Sequence, residues 1–485
     1  MNTRTVDKPS ATTQAPLRRY EDLPGPRGIP VFGNLLQIEA GRLHQQLEAW
    51  CAEYGPIFKL QLRKRQVVVI GDHELIAAAL RDRPDGFRRT TKLAEVWAEM
   101  GLLEGLFNAN GETWRRQRRM VMAGFDPAHV KRYFPSLQRV AQRLATRWQL
   151  AAQRGSTIDL QADLMRYTVD TIAGLAFGAE VNTLQSDEDV IQNHLNRIFP
   201  AVFKRIFAPL PMWRYFPSAS DRALKRSVVE VNTAVDRFFA EARARLQADP
   251  SLREHPRNLL EAMLVAADEP GSGIDDPQVA GNVLIMLLAG EDTTANTLAW
   301  MIHLLWSHPE ALAKATAEVR HVCGDAVAPT LEQIARLDYV EACAHETMRL
   351  KPVAPQNAMQ ALRDTTLGDV VIPTGTVVIA VMRRDAVSEQ HVPRAAAFEP
   401  ERWLSDGGPA QAANAAKRVS MPFGAGPRIC PGRYLALLEM KVAMATLLGR
   451  FDIQSIDTPD GQVPRELLQL AMAPVGLTMK VGLRA

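Results

Sequence analysis

Apolar residues recur at helical spacing near the N-terminus and along most of the middle of the chain. Leu43, Leu47, Trp50 and Tyr54 lie three or four residues apart, which predicts an amphipathic helix. From about residue 113 to residue 350 the same helical pattern dominates, and short loops rich in Pro, Gly and Asp interrupt it. The pattern therefore predicts a chain that is mainly helical.

Short runs of β-branched and aliphatic residues flank this helical block on both sides. Residues 57–62 and 66–70 are joined by a basic turn and predict a β-hairpin, and residues 370–372 and 376–382 predict two further strands. Because these strands need partners, we expect those from the two ends of the block to pair with each other. The expected fold class is α+β, mainly α with small β-sheets.

One predicted helix is unusually long and apolar. Asp275 or Asp276 can cap it, Pro277 suits its first turn, and it can run to about Ser307. At 1.5 Å per residue it would be on the order of 45 Å long, enough to cross the molecule. Its centre, residues 289–294, holds a glycine, two acids and two threonines, which a buried helix disfavours. This departure from helix preference marks a candidate functional site.

Composition and charge narrow the class of protein further. The chain has 485 residues, 47% of them apolar, and a net charge of only +3, which indicates no nucleic-acid partner. The longest apolar run in the middle of the chain, residues 283–289, is too short to cross a membrane, and the polar N-terminus predicts no signal peptide or membrane anchor. We expect a cytoplasmic protein with a disordered tail over residues 1–21 and one domain over residues 22–485. Four cysteines without regular spacing argue against a disulfide framework.

A glycine-rich loop, residues 423–432, lies directly before the last predicted helix, residues 432–449, and carries a candidate metal ligand. Cys430 lies near the N-terminus of that helix, where the helix dipole and free N–H groups favour a thiolate. A thiolate can bind iron and push electron density onto it. Phe423 can shield the sulfur, and Arg428 can pair with a haem propionate.

This loop resembles the haem-binding signature of the cytochrome P450 family, Phe-x-x-Gly-x-Arg-x-Cys-x-Gly. The signature is matched without a gap by Phe423, Gly426, Arg428, Cys430 and Gly432. The resemblance covers roughly residues 22–480, because further motifs follow in the family's order. It implies the cytochrome P450 fold, with a long central helix over the haem, and haem b (iron protoporphyrin IX) bound through the axial thiolate of Cys430.

Two further motifs resemble parts of the family pattern that hold the haem and its loop. Glu346 and Arg349 are three residues apart and can form an ion pair. Taken by itself, this spacing usually indicates a solvent-exposed pair. Followed by Arg402, they imply a structural ion-pair network that holds the Cys430 loop. Trp114 and Arg118 are four residues apart on a helix, and both can donate hydrogen bonds to a propionate. The neighbouring Arg115 and Arg119 belong either to a docking surface for an acidic electron donor or to an ordinary solvated face.

The centre of the long helix resembles the family's oxygen-activation motif. The match assigns the proton-relaying acid to Asp292 and the catalytic hydroxyl to Thr293, since O2 must gain protons before its O–O bond breaks. Ala289 is expected to lie against the haem, and the small residues Ala289 and Gly290 are expected to leave room above the iron. Glu291 receives no role.

The resemblance also implies where substrate binds and what it is. It places the substrate pocket at residues 87–110, 200–216, 353–357 and 470–475, in addition to the oxygen-activation motif. These segments are apolar with a few amides, which suits a hydrophobic small molecule of lipid, terpenoid or aromatic type.

The implied activity is an O2- and NAD(P)H-dependent monooxygenase. No flavin or iron–sulfur module is visible after the final predicted hairpin, so electrons are expected from a separate ferredoxin or flavodoxin type donor with its NAD(P)H-dependent reductase. One alternative is a peroxygenase or isomerase of the same fold, although such enzymes usually depart from the acid–threonine pair kept here at Asp292 and Thr293. The other is a haem-based sensor, which would need a DNA-binding or signalling module that the sequence does not display.

Overall fold

A computed structural model describes residues 16–125, 127–185, 190–324, 328–404 and 410–484 of the chain. Helices make up most of these residues, as the apolar spacing predicts. In chain order the α-helices are α1 Leu43–Tyr54, α2 His73–Arg81, α3 Thr91–Glu99, α4 Gly111–Gly124, α5 Pro127–Arg154, α6 Leu160–Ile172, α7 Val190–Phe207, α8 Ala219–Ala248, α9 Leu259–Asp268, α10 Asp276–Ser307, α11 Pro309–Cys323, α12 Leu331–Ala335, α13 Asp338–Leu350, α14 Ala410–Val419 and α15 Arg433–Arg450.

Four small sheets complete the described part of the fold. The largest has five strands in the order β1-β2-β8-β5-β3, and the others pair β10 with β11, β6 with β7, and β4 and β9 with β12. The strands are β1 Ile57–Leu62, β2 Arg65–Ile70, β3 Phe87–Arg88, β4 Ile158–Asp159, β5 Gln356–Ala361, β6 Thr365–Leu367, β7 Val370–Ile372, β8 Val377–Val381, β9 Phe451–Asp457, β10 Glu466–Gln469, β11 Ala471–Pro474 and β12 Thr478–Leu483.

The five-stranded sheet joins segments from both sides of the helical block. β1 and β2 form an antiparallel hairpin, with Ile57 opposite Ile70. β2 then pairs in parallel with β8, with Val67 opposite Val377. Val67 to Ile70 are buried, so the pairing hides an aliphatic surface that a lone hairpin would expose. The predicted α+β class, with pairing between the two ends of the block, is confirmed.

The long helix α10 forms the centre of the molecule. Asp275 caps it by accepting a hydrogen bond from the Gln278 backbone N–H at 2.9 Å, and Pro277 occupies the first turn. Its 32 residues correspond to a length of about 48 Å. Most of its side chains are buried, and it packs chiefly along α6. The predicted start and end of this helix are confirmed.

The N-terminal tail was predicted to be disordered over residues 1–21, and residues 1–15 lie outside the described part of the chain. The backbone of Arg18 bridges to Val370 beside strand β7, and its guanidinium lies 2.7 Å from the Asp369 carboxylate. Residues 20–22 form one 3₁₀ turn. The end of the predicted tail therefore joins the edge of the fold. In the described chain, no helix combines the length and the apolar character that crossing a membrane requires.

Candidate functional site

A cavity of about 360 Å³ lies between α10 and the loop that precedes α15. Both motifs that the sequence singles out contribute to its wall. The residues from α10 and the loop that line it include Ala289, Gly290, Thr293, Phe423, Arg428 and Cys430. The tertiary structure therefore brings the candidate iron ligand and the candidate catalytic hydroxyl to one cavity.

The loop at the base of this cavity holds Cys430 in a fixed position. The Cys430 backbone N–H donates to the carbonyl of Phe423 at 2.9 Å, which closes the loop on itself. Gly426 adopts φ +69°, and a Cβ atom there would lie 2.6 Å from the carbonyl oxygen of Leu80 at the end of α2. Only glycine meets both conditions, because L side chains disfavour this φ and the approach leaves no space. The loop is thus packed tightly against α2.

The electrostatics of the Cys430 sulfur differ from the sequence-based expectation. Burial raises the pKa of the Cys430 thiol, and the Gly432 N–H and the Arg118 charge oppose this rise. Helix α15 begins at Arg433, so the sulfur lies just outside its first turn. Burial therefore disfavours the thiolate in the protein chain alone, and a cation bound at the sulfur would favour it.

Trp114, Arg118 and Arg428 lie on the same wall of the cavity, as the motif spacing predicts. The Arg428 guanidinium stacks 4.9 Å from the centre of the Trp114 ring and donates a hydrogen bond to the Ala109 carbonyl. Trp114 is buried. Burial lowers the pKa of Arg118, and burial together with Arg89 and Arg118 lowers the pKa of Arg428 to about 9.

Two further arginines, Arg83 and Arg89, line the cavity beside them. Arg83 is only 3% exposed, and its Nε and Nη2 atoms have no hydrogen-bond partner among the described residues. Burial and the charges of Arg89 and Arg428 lower the pKa of Arg83 to about 8. Burial also lowers the pKa of Arg89 to about 10, while its Nε donates to the Phe107 carbonyl at 3.0 Å. We call Arg83, Arg89, Arg118 and Arg428 the arginine cluster.

The arginine cluster has no internal counter-charge. The one carboxyl group among the described residues lining this cavity is Glu439, and burial raises its pKa well above the ordinary range. Burial therefore favours the protonated, uncharged form of Glu439. Buried cations are normally paired, so a cavity with several unpaired guanidinium groups is suited to an anionic ligand. The motif search missed Arg83, and the only local signal was its place in a stretch that contains three arginines within seven residues.

On α10, Thr293 and Asp292 face different spaces. Thr293 lines the 360 Å³ cavity, and its hydroxyl donates to the Ala289 carbonyl at 2.8 Å. Asp292 lines a second cavity of about 250 Å³. Its carboxylate accepts a hydrogen bond from the Asn296 amide at 2.5 Å, and the Asn296 oxygen accepts one from Gln161 at 3.2 Å. Burial raises the pKa of Asp292 to about 6, although the Asn296 hydrogen bond opposes the rise.

Gly290 lines the cavity and also permits a close contact between two helices. A Cβ atom on Gly290 would lie 2.6 Å from the side chain of Ile172 in α6. The missing side chain therefore permits the close packing of α6 against α10, in addition to its place in the cavity wall. The Thr168 hydroxyl donates to the Glu291 carbonyl at 3.0 Å across the same contact.

The predicted substrate pocket divides between the two cavities. Segments 87–110 and 353–357 line the 360 Å³ cavity through Arg89, Leu106, Phe107, Val353, Ala354 and Asn357. Residues of segments 200–216 and 470–475 are absent from the described wall of this cavity, because α7 and the β10–β11 hairpin line the second cavity instead. The residues of these two elements that line the second cavity include Leu195, Phe199, Pro200, Ala471, Ala473 and Pro474.

Glu346, Arg349 and Arg402 meet in the interior away from solvent. The Glu346 carboxylate lies 2.7 Å from Arg349 and 3.2 Å from Arg402, and all three residues are buried. The Trp403 indole N–H donates to the same carboxylate at 2.9 Å. Arg349 also donates to the carbonyls of Ala386 and Ala395, each at 2.7 Å, and Arg402 donates to backbone carbonyls nearby. We call Glu346, Arg349, Arg402 and Trp403 the Glu346 cluster.

Comparison with known proteins supplies an independent test of the family. The protein-family model described as Cytochrome P450 matches residues 23–481. The chain is 27% identical to Protein LUTEIN DEFICIENT 5, chloroplastic, of Arabidopsis thaliana, over 83% of this chain and 68% of that protein. It is 26% identical to Cyclooctat-9-en-7-ol 5-monooxygenase of Streptomyces melanosporofaciens, over 94% of this chain and 95% of that protein.

Other relatives are longer than this chain. It is 29% identical to the self-sufficient cytochrome P450 monooxygenase CYP505U2 of Exserohilum turcicum, over 97% of this chain but only 43% of that protein. The chain therefore spans less than half of this relative. The crystal structure of the cytochrome P450DA heme domain superposes with a TM-score of 0.82 at 24% identity, covering 97% of this chain and 99% of that one. This likeness concerns the fold.

Proposed function

The chain belongs to the cytochrome P450 family, and from this premise we propose that it is a haem-thiolate monooxygenase that inserts one oxygen atom from O2 into a hydrophobic small molecule. The observation that carries the proposal is the shared cavity, which has Cys430 on one side and Thr293 of α10 on the other. We also propose that residues 22–485 act as one haem domain, in keeping with the pairing of β2 and β8.

The residues of the cavity fit haem b. Haem carries two propionate carboxylates, and the arginine cluster offers buried guanidinium atoms without partners at Arg83 and Arg428. Trp114 and Arg118 line the same wall and can donate to these carboxylates as well. Cys430 would hold the haem iron through its sulfur, and Phe423, Gly426 and Gly432 would shape the loop around that sulfur. The haem iron, when bound, supplies the redox chemistry that activates O2.

The protein's part in proton supply falls to two neighbouring residues of α10. The Thr293 hydroxyl donates a hydrogen bond to the Ala289 carbonyl. Its oxygen therefore remains available to accept a hydrogen bond from a water molecule in the cavity. Passing its own proton on while accepting another would make Thr293 a relay. Asp292, with a pKa of about 6, can take up and release a proton near neutral pH from the second cavity. We therefore assign proton delivery across α10 to Asp292 and Thr293.

The cavity wall supports a hydrophobic substrate of lipid, terpenoid or aromatic type. On the side formed by α10 and the loop before α4 it is built from Leu106, Phe107, Ile285 and Met286. Such a wall excludes water and binds apolar surface without a fixed orientation. Asn357 is a polar residue in the same wall and can orient a substrate oxygen.

For electrons we propose a separate ferredoxin or flavodoxin type donor with an NAD(P)H-dependent reductase. Arg119 on α4 is exposed, and Arg115 beside it is partly exposed and paired with Asp85 and Glu112. The exposed charge of Arg119 favours an acidic partner, whereas the charge of Arg115 is already paired within the chain. One relative of this chain is named a bifunctional cytochrome P450/NADPH–P450 reductase, and this chain covers 41% of it. The alternative to a separate donor is therefore a reductase joined to the haem domain in one polypeptide.

The decisive experiment replaces the proposed relay hydroxyl, Thr293→Ala. A ligand is first chosen by titrating the haem-loaded protein with fatty acids, terpenoids and aromatics and following the Soret band. We expect product formation driven by O2 and NAD(P)H to fall by about 10²-fold, because general acid catalysis is lost. Product formation driven by hydrogen peroxide should persist, because peroxide already carries its protons.

Thr297→Ala is the matched control, since the Thr297 hydroxyl also donates to the backbone one turn earlier, to the Thr293 carbonyl at 2.8 Å. It should keep O2-driven turnover. Equal O2-driven rates in the Thr293→Ala variant and the wild type would refute the relay. An absorbance maximum of the reduced carbon monoxide complex typical of histidine-ligated haem would refute the haem-thiolate assignment itself.

A further inference from the structure

A cluster of two histidines and one aspartate lies away from the cavity, at the start of α2. His73 is the first residue of α2, Asp385 opens a 3₁₀ turn after β8, and His391 follows in the next loop. His73 and Asp385 are buried, and the His391 side chain is 22% exposed. Nothing in the proposed monooxygenase reaction uses these three residues.

The three side chains converge at the spacing of metal ligands. The Asp385 Oδ2 atom lies 2.8 Å from His73 Nδ1 and 3.5 Å from His391 Nε2, and each side chain offers a ligand atom within 4.8 Å of those of the other two. Two ligands bound to zinc at about 2.0–2.1 Å with tetrahedral angles lie about 3.3 Å apart. The observed distances fall on either side of this value, so small side-chain movements would complete the geometry.

The surroundings hold the carboxylate and one imidazole in place. The Asp385 Oδ1 atom accepts a hydrogen bond from Arg384 at 2.6 Å, and Oδ2 accepts one from the His73 backbone N–H at 2.8 Å. Such outer contacts orient a metal-binding carboxylate. The His73 Nε2 atom is buried and has no hydrogen-bond partner among the described residues, while a Glu74 carboxylate oxygen lies 4.0 Å away. Metal binding at Nδ1 would leave a proton on Nε2, and the exposed Glu74 carboxylate could then accept a hydrogen bond from that N–H.

We propose that His73, Asp385 and His391 bind one divalent transition-metal ion of the zinc type, with water as a fourth ligand on the exposed side of His391. Two imidazoles and one carboxylate favour zinc, nickel or copper over magnesium or calcium, which prefer oxygen ligands alone. Three protein ligands and one water molecule together give the coordination number of four that tetrahedral zinc takes in proteins.

The ion would act as a structural clamp. It joins the start of α2 to the segment that begins at Asp385, and α2 also packs against the loop of Cys430 through the Leu80–Gly426 contact. The carbonyls of Ala386 and Ala395 in that segment accept hydrogen bonds from Arg349. Bound metal therefore stabilises two elements next to the haem loop and is expected to raise the thermal midpoint of unfolding.

The test uses the haem-loaded full chain, purified without a histidine tag and freed of adventitious metal with EDTA. Titration with zinc chloride by isothermal calorimetry should reveal one equivalent of tightly bound zinc, and zinc should raise the thermal midpoint. His391→Gln removes the most exposed ligand with the least risk to folding, and should weaken zinc binding on the order of tenfold or more and abolish the thermal shift.

His255→Gln is the matched control, because His255 is an exposed histidine distant in sequence from the cluster. It should bind zinc as the wild type does. The proposal is overturned if the wild type binds no zinc, or if the His391→Gln variant keeps both the affinity and the thermal shift. Neither outcome bears on the Soret titration or on Thr293→Ala, so the clamp and the monooxygenase proposal fail separately.

Discussion

Two buried groups of charges in this protein are built in opposite ways. In the Glu346 cluster, one carboxylate is shared by two guanidinium groups and an indole N–H, and backbone carbonyls and the Glu399 carboxylate accept further hydrogen bonds from the two arginines. In the arginine cluster, four guanidinium groups share a cavity in which burial lowers their pKa values and raises the pKa of Glu439, the one carboxyl group among the described wall residues. The first group is complete within the chain, whereas the second is completed by an anionic ligand.

The difference teaches which buried charges serve the fold and which serve binding. A network with all partners present is destabilised when any member is removed, because the rest become unpaired in a medium that solvates them poorly. The like charges of the arginine cluster lack counter-charges, so the ligand-free protein already bears the free-energy cost of burying unpaired charge. Its members should therefore respond to substitution in the opposite direction until the ligand is present.

The largest effect is expected from Glu346→Ala. This change leaves Arg349 buried without a carboxylate partner and leaves Arg402 with Glu399 alone, at 2.6 Å, and it should lower the free energy of unfolding by about 3–5 kcal/mol. Urea denaturation followed by circular dichroism measures it. Asp369→Asn is the control, because it breaks the exposed pair with Arg18 and should cost no more than about 1 kcal/mol. Equal losses in the two variants would erase the distinction drawn for the Glu346 cluster.

A smaller effect of opposite sign is expected from Arg83→Met. Because Arg83 is buried and its Nε and Nη2 atoms lack partners, the change should raise the free energy of unfolding of the haem-free protein by about 1 kcal/mol. The same change should speed haem transfer to apomyoglobin by about tenfold, since a charge-assisted hydrogen bond to the haem is lost. Arg119→Met, on the exposed face of α4, should alter neither quantity. If Arg83→Met instead lowers the free energy of unfolding of the haem-free protein, then Arg83 has a stabilising partner before haem binds.

Asp292 provides an intermediate case, a single buried acid with only an amide partner. Its pKa is raised to about 6 in the folded protein from 3.8, so the folded state binds the proton more tightly than the unfolded chain. Its contribution to stability therefore grows as pH falls through 6 and is lost as pH rises above it. Relative to Asp292→Asn, the wild type should gain on the order of 1 kcal/mol in unfolding free energy between pH 7.5 and pH 5. Parallel pH profiles of the two proteins would show that Asp292 titrates normally.

Much of the fold was predictable from local features of the chain. The ends of α10 follow from Asp275 as a capping residue and Pro277 in the first turn, and the hairpin β1–β2 follows from aliphatic runs around a basic turn. Glu346, Arg349 and Arg402, which the family pattern implies as one network, lie together in space, whereas Trp403 was not predicted to join them. The helix and hairpin signals are short patterns whose physical meaning does not depend on distant segments, whereas the joining of Arg402 to Glu346 was implied by the resemblance.

Other features of the site depended on segments far apart in the chain. Arg83 reaches the cavity because α2 packs under the Cys430 loop, and no local pattern separates it from a surface arginine. Segments 200–216 and 470–475 are apolar in sequence, but the structure places Pro200 of the first segment and Ala471, Ala473, Pro474 and Val475 of the second in the wall of the second cavity. Apolar character predicts burial and leaves the choice of cavity open.

The amino-acid sequence by itself determined the order of the helices and strands, the place of the cysteine loop and the identity of the charges, because capping, turn geometry and hydrophobic period act over a few residues. Only the tertiary structure decided which charges became paired, which side of α10 each residue faces and which arginines share the cavity. These properties depend on distances between segments hundreds of residues apart, and burial together with Coulomb interaction sets their energies after the chain has packed.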